Sequence, residues 1–314
     1  MSDNELHVIF GTGPVGMAIM EELVASGKPV RMINRSGKAD LPDGVDIKSG
    51  DAMSSDFTRE AVEGATVVYN ALNPPYDQWI KFFPPLQKSV LEATSSVGAK
   101  LIVMENLYMY GHTYGKPMTE ATPYDAHTRK GKLRADMANE LLEAHRAGKV
   151  RVAMGRASDF FGPRGLQSGM GERVIYPALE GKSAQILGNP DLAHTYTYLP
   201  DIGKALVILG EHDEALGQAW HIPVDKTVST REFIEMIYKE AGHLPKISVA
   251  PKLIMKALGL FNPIIREVNE MAYEFDEPFI SDHSKFTRAF GDHTTPLSDA
   301  IRTTVSWFKE HPKQ

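Results

Sequence analysis

Residues 7–16 read His7-Val8-Ile9-Phe10-Gly11-Thr12-Gly13-Pro14-Val15-Gly16. A short apolar run ends in glycines, and the stretch from Pro14 to Ala25 has helical spacing, with Val15, Ile19, Leu23 and Val24 on one face. Strand, Gly-x-Gly-x-x-Gly turn and helix, in that order, form the setting in which this motif holds a dinucleotide. Gly11 permits the tight turn, Gly13 lets the backbone approach a pyrophosphate, and Gly16 lets helix and strand pack closely. Pro14 falls in the first helical turn, where a missing N–H is tolerated. The free N–H groups at that helix end attract anions. The loop from Gly11 to Gly16, Thr12 and Val15 included, is therefore a candidate phosphate cradle. The bland alternative is a glycine-rich turn without a ligand, and the pattern of the following residues weighs against it.

That pattern alternates. Apolar runs at Pro29–Ile33, Val45–Lys48, Thr66–Leu72, Leu101–Met104 and Val150–Met154 read as strands. Trp79–Val97 and Lys132–Ala147 read as helices between them, the first kinked or interrupted at Pro84-Pro85. Apolar strands alternating with amphipathic helices imply an α/β fold with a parallel sheet covered on both faces. Right-handed crossovers make it the Rossmann, doubly wound type. The second half is less regular: helices are expected at Ala205–Gly210, Thr230–Ala241, Pro251–Gly259 and Ser298–Lys309, and a strand at Gly217–Ile222. The expected division is a dinucleotide-binding domain over 1–161 and a smaller, mainly substrate-binding C-terminal cap over 162–314. Segments such as 195–210 return to the first domain, and the cap lies over the carboxyl ends of the strands.

The second strand ends at Asn34-Arg35-Ser36. An NAD site usually carries a carboxylate here for the ribose 2′-hydroxyl, whereas an NADP site uses an arginine for the 2′-phosphate. Asn34 leaves the acid absent, while Arg35 and Ser36 offer a planar charged donor and a hydroxyl. NADP(H) is the expected cofactor, with NAD(H) as the alternative. A solvated surface arginine is the plain reading of Arg35. Asp51, with Ala52 after it, follows the third strand and can accept from an adenine amino group, or simply serve as a loop aspartate.

Composition narrows the classes. The chain has 314 residues, a net charge of -6 and no cysteine. The charge argues against nucleic acid and anionic membranes as partners, since both need clustered Lys and Arg. The missing cysteines exclude disulfide frameworks, thiol nucleophiles and thiolate metal sites. No signal peptide and no apolar run of ~18 residues is evident, so a cytoplasmic location is expected. His112, His127 and His145 lack metal-ligand spacing, and no metal is assigned. There is no Gly-x-Ser-x-Gly elbow and no Gly-Lys-Ser/Thr loop, which removes the common serine hydrolases and P-loop nucleotidases. Acid-rich Phe275–Phe290 reads as packing, not as a nucleic-acid face.

The order of the pieces resembles the extended short-chain dehydrogenase/reductases, in particular the NAD-dependent epimerase/dehydratase family. The resemblance covers nearly the whole chain. Its landmarks are Gly11–Gly16, Gly50-Asp51, Met109-Tyr110-Gly111, Lys132, Arg156–Gly162-Pro163 and Thr197-Tyr198-Leu199-Pro200-Asp201. The first loop departs from the usual Gly-x-x-Gly-x-x-Gly in having Phe10 at its first position.

The resemblance implies cofactor contacts from Ala71 and Leu72 after the fourth strand, and from Ala157 and Ser158 after the sixth. It also implies a Tyr-x-x-x-Lys pair helped by a Ser or Thr. Lys132 fits the lysine, which holds the nicotinamide ribose. Thr128 stands at the tyrosine position and Asn106 at the Ser/Thr position. The chain thus resembles an atypical member, with the cofactor site kept and the standard acid lost.

A threonine hydroxyl is a far weaker acid than a phenol (pKa ~10). Tyr108 ranks first as substitute, on the premise that Tyr108 and Tyr110 continue an extended chain from Asn106 and face one side. Tyr110 reads as packing, and His127 and Tyr76 are weaker candidates. Asn106 can polarise a carbonyl without donating a proton.

The reading is an NADP-dependent oxidoreductase acting on a small carbonyl or related organic substrate, as a monomer or homodimer. A cofactor-binding regulator with little catalysis is the alternative. A sugar-nucleotide epimerase or dehydratase ranks third.

Overall fold

Leu6–Phe10 form strand β1, and Val8, Ile9 and Phe10 are wholly buried in it. Each such side chain contributes roughly 1.5–3 kcal/mol over its exposed state. The computed structural model describes residues 5–313. Helix α1 (Pro14–Ala25) follows, then β2 (Val30–Asn34), β3 (Asp46–Ser49), α2 (Ser55–Ala61), β4 (Ala65–Asn70), α3 (Trp79–Ser96), β5 (Lys100–Glu105), α4 (Arg129–Arg146) and β6 (Arg151–Arg156). With the strand Ala219–His221 these form a seven-stranded sheet in the order Ala219–His221, β6, β5, β4, β1, β2, β3. Every pairing in it is parallel. The order reverses between β1 and β4, and in open α/β sheets ligands bind outside the carboxyl ends at that point.

The chain folds as two compact units. The first comprises the chain up to Met109, Lys130–Ala157 and Ile202–Ile222, and holds the whole sheet. Within it the helix Leu199–Glu211 approaches α1 at Gly203, where an added Cβ would meet the Ala18 backbone at 2.5 Å. The second comprises Tyr110–Arg129, Ser158–Asp201 and the chain from Pro223 onward. Its core joins Phe161, Phe233, Ile237, Tyr238 and Phe308. Among the described residues, no helix is long and apolar enough to cross a membrane.

Of the kink or interruption expected at Pro84-Pro85, the interruption does not occur: α3 runs continuously through both prolines. Two prolines remove the N–H groups that would reach the carbonyls of Ile80 and Lys81. Both of those residues are exposed, where water can take the place of the lost donors.

At the carboxyl end of β5, Glu105 pairs across the strands with Arg156. The Arg156 Nε donates to Glu105 Oε2 at 2.9 Å, and neither side chain reaches solvent. The buried Arg134 guanidinium lies 3.9 Å from the other carboxylate oxygen. Burial, opposed by Glu105, pulls the Arg134 pKa below its usual value. Removing one partner of a buried pair leaves the other charge uncompensated. Glu105→Ala is expected to destabilise the chain by ~3–5 kcal/mol, measured by urea denaturation. A loss under 1 kcal/mol would show that the pair is not structural.

Candidate functional site

In the first unit, the loops after β1 to β6 and helix α4 carry the predicted site residues, Ser158 excepted. Gly11 has φ +109°, and a Cβ there would stand 2.8 Å from the Ala71 carbonyl oxygen. The first loop therefore touches the end of β4, where the Ala71 N–H donates to the Phe10 carbonyl at 2.9 Å. A Cβ at Gly16 would run into the Gly11 carbonyl. Around Gly13 the case is opposite: it is exposed, and a Cβ would meet nothing within 4 Å. Gly13 caps α1 without a side-chain hydrogen bond, Pro14 and Val15 open the helix, and its first turn has no acid. This end fits a phosphate by both its open backbone and its helix dipole.

Asn34 braces the loop beside it. Its Nδ2 donates to Thr12 Oγ1 at 3.0 Å and to the Lys38 carbonyl at 2.9 Å, while its Oδ1 accepts from the Gly37 N–H at 2.6 Å. The side chain predicted to face a cofactor thus organises the loop that would receive it. Ser49 Oγ donates to the Arg35 carbonyl at 2.9 Å, fixing the backbone there. Arg35, Ser36 and Lys38 are exposed. Among the described residues, the Arg35 guanidinium has no ion pair. Lys38 was overlooked in the sequence, although it lies in the same short loop. Asp51 is exposed, with Oδ1 accepting from the Met53 N–H at 3.0 Å, and Ala52 beside it is buried. The Leu72 N–H donates to Asn70 Oδ1 at 3.3 Å.

The loop after β5 departs from the extended chain that was expected. Tyr108–Tyr110 form a 3-10 turn. The Tyr108 N–H donates to Asn106 Oδ1 at 3.2 Å, an Asx turn that ends the strand. Tyr108 and Tyr110 therefore do not share a face. The Tyr110 ring is buried and meets Tyr124 edge-on at 5.9 Å. Tyr108 stacks at 5.8 Å on Trp79, and its hydroxyl lies 3.4 Å from that of Tyr76. Trp79 meets the Tyr76 ring at 4.9 Å and donates its indole N–H to the Pro74 carbonyl at 3.1 Å. Two phenols from the loops after neighbouring strands β4 and β5 thus share one hydroxyl contact.

Helix α4 sorts its lysines by periodicity. Lys130, Arg134, Met137, Ala138 and Leu141 line the buried face. The Lys130 ammonium sits 4.5 Å from the Tyr76 ring centroid, and Arg134 lies over Phe83 at 4.9 Å. Lys132 is exposed and has no ion pair among the described residues, while Thr128, just before the helix, is buried. Lys130 was missed in the sequence, and the 3.6-residue repeat held the signal. The Ala157 N–H donates to the Glu105 carbonyl at 3.0 Å.

In the second unit, Ser158 is buried and its hydroxyl has no partner among the described residues. Two histidines that looked unrelated meet there: His112 and His127 stack at 4.3 Å, and Tyr273 borders both. Burial, then the neighbouring His112, lowers the His127 pKa. His145 is elsewhere, on α4, with Nδ1 accepting from the Val152 N–H at 3.3 Å. No group of three metal-ligating side chains occurs among the described residues.

Comparison by sequence with curated proteins gives no match. Comparison with solved structures gives many. UDP-glucose 4-epimerase of Thermus thermophilus, solved with NAD, superposes with a TM-score of 0.76 at 18% identity, over 97% of this chain and 99% of that one. UDP-glucuronic acid 4-epimerase of Bacillus cereus, solved with UDP-glucuronic acid and NAD, gives 0.78 at 18% identity, over 98% and 100%. An epimerase of Methanothermobacter thermautotrophicus gives 0.81 at 16% identity, over 98% and 93%. At these identities the likeness establishes the fold. A family model, described as the NAD dependent epimerase/dehydratase family, matches residues 8–222. That span includes the glycine loop, the whole parallel sheet from Val8 onward and α4, and the chain belongs to the NAD dependent epimerase/dehydratase family.

Proposed function

We propose that this chain binds NADP(H) and reduces a small carbonyl compound, with Tyr108 delivering the proton. When bound, a reduced nicotinamide supplies the hydride. The chain's own residues do the rest. The open backbone at Gly13 and the α1 N-terminus receive the pyrophosphate. Arg35, with Lys38 beside it, faces the 2′-phosphate, and Lys132 holds the ribose. The observation that carries the chemistry is the Tyr76–Tyr108 hydroxyl contact at 3.4 Å, in a chain that has Thr128 at the sequence position of the usual phenol. Tyr108 supplies the acid and Tyr76 resupplies its proton. A cation near a phenol favours the ionised form, and the Lys130 ammonium over the Tyr76 ring provides one.

The test is anaerobic mixing of the protein and NADPH with a panel of aldehydes, ketones, activated alkenes and UDP-sugars, followed at the nicotinamide absorbance and by product analysis. Substrate-dependent oxidation of NADPH by a carbonyl compound is expected. Redox-neutral conversion of a UDP-sugar would instead favour epimerisation, the activity named for several structural neighbours. Tight NADPH binding with no turnover would favour a cofactor-sensing regulator, a reading prompted by Thr128.

Cofactor choice is separately testable. A charge-assisted contact from Arg35 to the 2′-phosphate contributes ~1.5–3 kcal/mol, or roughly ten- to hundredfold. Arg35→Ala is expected to weaken NADPH by that factor and to leave NADH unchanged in calorimetric titrations. Equal affinities of the wild type for the two cofactors would refute the preference.

A further inference from the structure

In the second unit, residues 251–270 fold into a hairpin of two helices, Lys252–Gly259 and Pro263–Glu270. The hairpin is tightly built. At Gly259 an added Cβ would stand 2.6 Å from the Asn269 amide, and that amide donates to the Met255 carbonyl at 2.7 Å. Asn262 caps the second helix, its Oδ1 accepting from the Ile264 and Ile265 N–H groups at 2.9 and 3.2 Å. Its inner side is anchored by Glu267 and Glu270, which pair with Arg129 at 2.9 and 2.8 Å.

The outer side is apolar and in water. Leu253 is 82% exposed, Leu260 78% and Phe261 89%, with Ile254, Leu258 and Ile264 about half exposed. These side chains present on the order of 700 Å² of apolar surface, more than the ~300–600 Å² of the largest patch on a typical monomer. Two properties say what covers it. Residues 251–266 contain Lys252, Lys256 and Arg266 and no acid, and the hairpin's two acids, Glu267 and Glu270, are both paired with Arg129, in a chain of net charge -6. Two of the three largest exposures, at Leu260 and Phe261, lie at the turn, where side chains can enter another medium without moving the helices. A basic amphipathic segment with Phe and Leu on its apolar face is the composition of an interfacial membrane contact. A two-fold pairing of the same faces would instead bring the cations of both copies together. The geometry points to this hairpin docking on an anionic lipid surface, with Leu260 and Phe261 entering the headgroup boundary and Lys256 and Arg266 meeting lipid phosphates. Lys252 contributes less, because it is paired with Asp276 at 2.7 Å, whereas Arg266 is held only loosely, 4.0 Å from Glu267. The net charge, which argued against such a partner, averages this local cluster away.

The test is flotation of the full chain with vesicles of phosphatidylcholine alone or mixed with phosphatidylglycerol, with sedimentation equilibrium in parallel. Binding to the mixed vesicles, weakened by salt, is expected. Lys256→Ala with Arg266→Ala should weaken it roughly twenty-fivefold, about fivefold for each cation. Phe261→Asp should weaken it by about tenfold or more while the circular dichroism spectrum and melting temperature stay at wild type. Equal binding to both vesicle types, or none, would overturn the assignment. So would a dimer that Phe261→Asp dissociates without any vesicle binding, which would give the face to a second copy.

Discussion

Gly13→Val is expected to abolish NADPH binding in a chain that still folds. The two halves of that expectation rest on one position. A Cβ at Gly13 meets no protein atom within 4 Å, so a side chain there disturbs no packing. Its φ of -74° and extended ψ are open to any residue. The same open space lies at the start of α1, where a pyrophosphate would approach the backbone. A branched side chain would hold the phosphate off the N–H groups, and the affinity should fall about a hundredfold or more. Gly11→Val and Gly16→Val form the contrast, because both positions abut backbone and both variants should lose the fold. Calorimetry with NADPH, set beside thermal melts, separates the cases. Unchanged binding by folded Gly13→Val would put the phosphate elsewhere.

Tyr108→Phe should lower turnover by ~10²–10⁴, the range for a lost general acid, while NADPH affinity stays within about twofold. The ring would remain stacked on Trp79, so only the hydroxyl is removed. Tyr76→Phe breaks the same hydroxyl contact from the other side. If the pair acts as one unit, the double variant should be no slower than Tyr108→Phe alone, because coupled groups are not additive. Thr128→Ala should change turnover by less than about tenfold, since it supplies no usable acid. A Thr128→Ala variant as inactive as Tyr108→Phe would overturn the assignment. Lys132→Ala and Lys130→Met distinguish the two lysines of α4. Loss of NADPH affinity is expected of the first, and loss of turnover at unchanged affinity of the second.

Helix α1 was legible from Pro14 to Ala25, and so was the run of strands through β6, because both carry local periodic signals. Gly11 and Gly16 were legible for the same reason: their need for a missing Cβ is set by neighbours a few residues away. Family membership followed from the order of such motifs. Tertiary structure alone decided the rest. An Asx turn at Asn106 turned the chain after β5 and parted Tyr108 from Tyr110, which spacing along an assumed extended chain could not reveal. Tyr76 and Tyr108 are 32 residues apart and meet only because β4 and β5 are neighbours. His112 and His127 stack through the fold of the second unit, not through any ligand-like spacing. Asn34 looked like a missing acid and proved to be a brace, since its partners Thr12 and Lys38 come from separate loops. Backbone preferences and apolar periodicity act over a few residues and can be read in order. Side-chain encounters depend on which strands lie adjacent, and only the folded sheet specifies that.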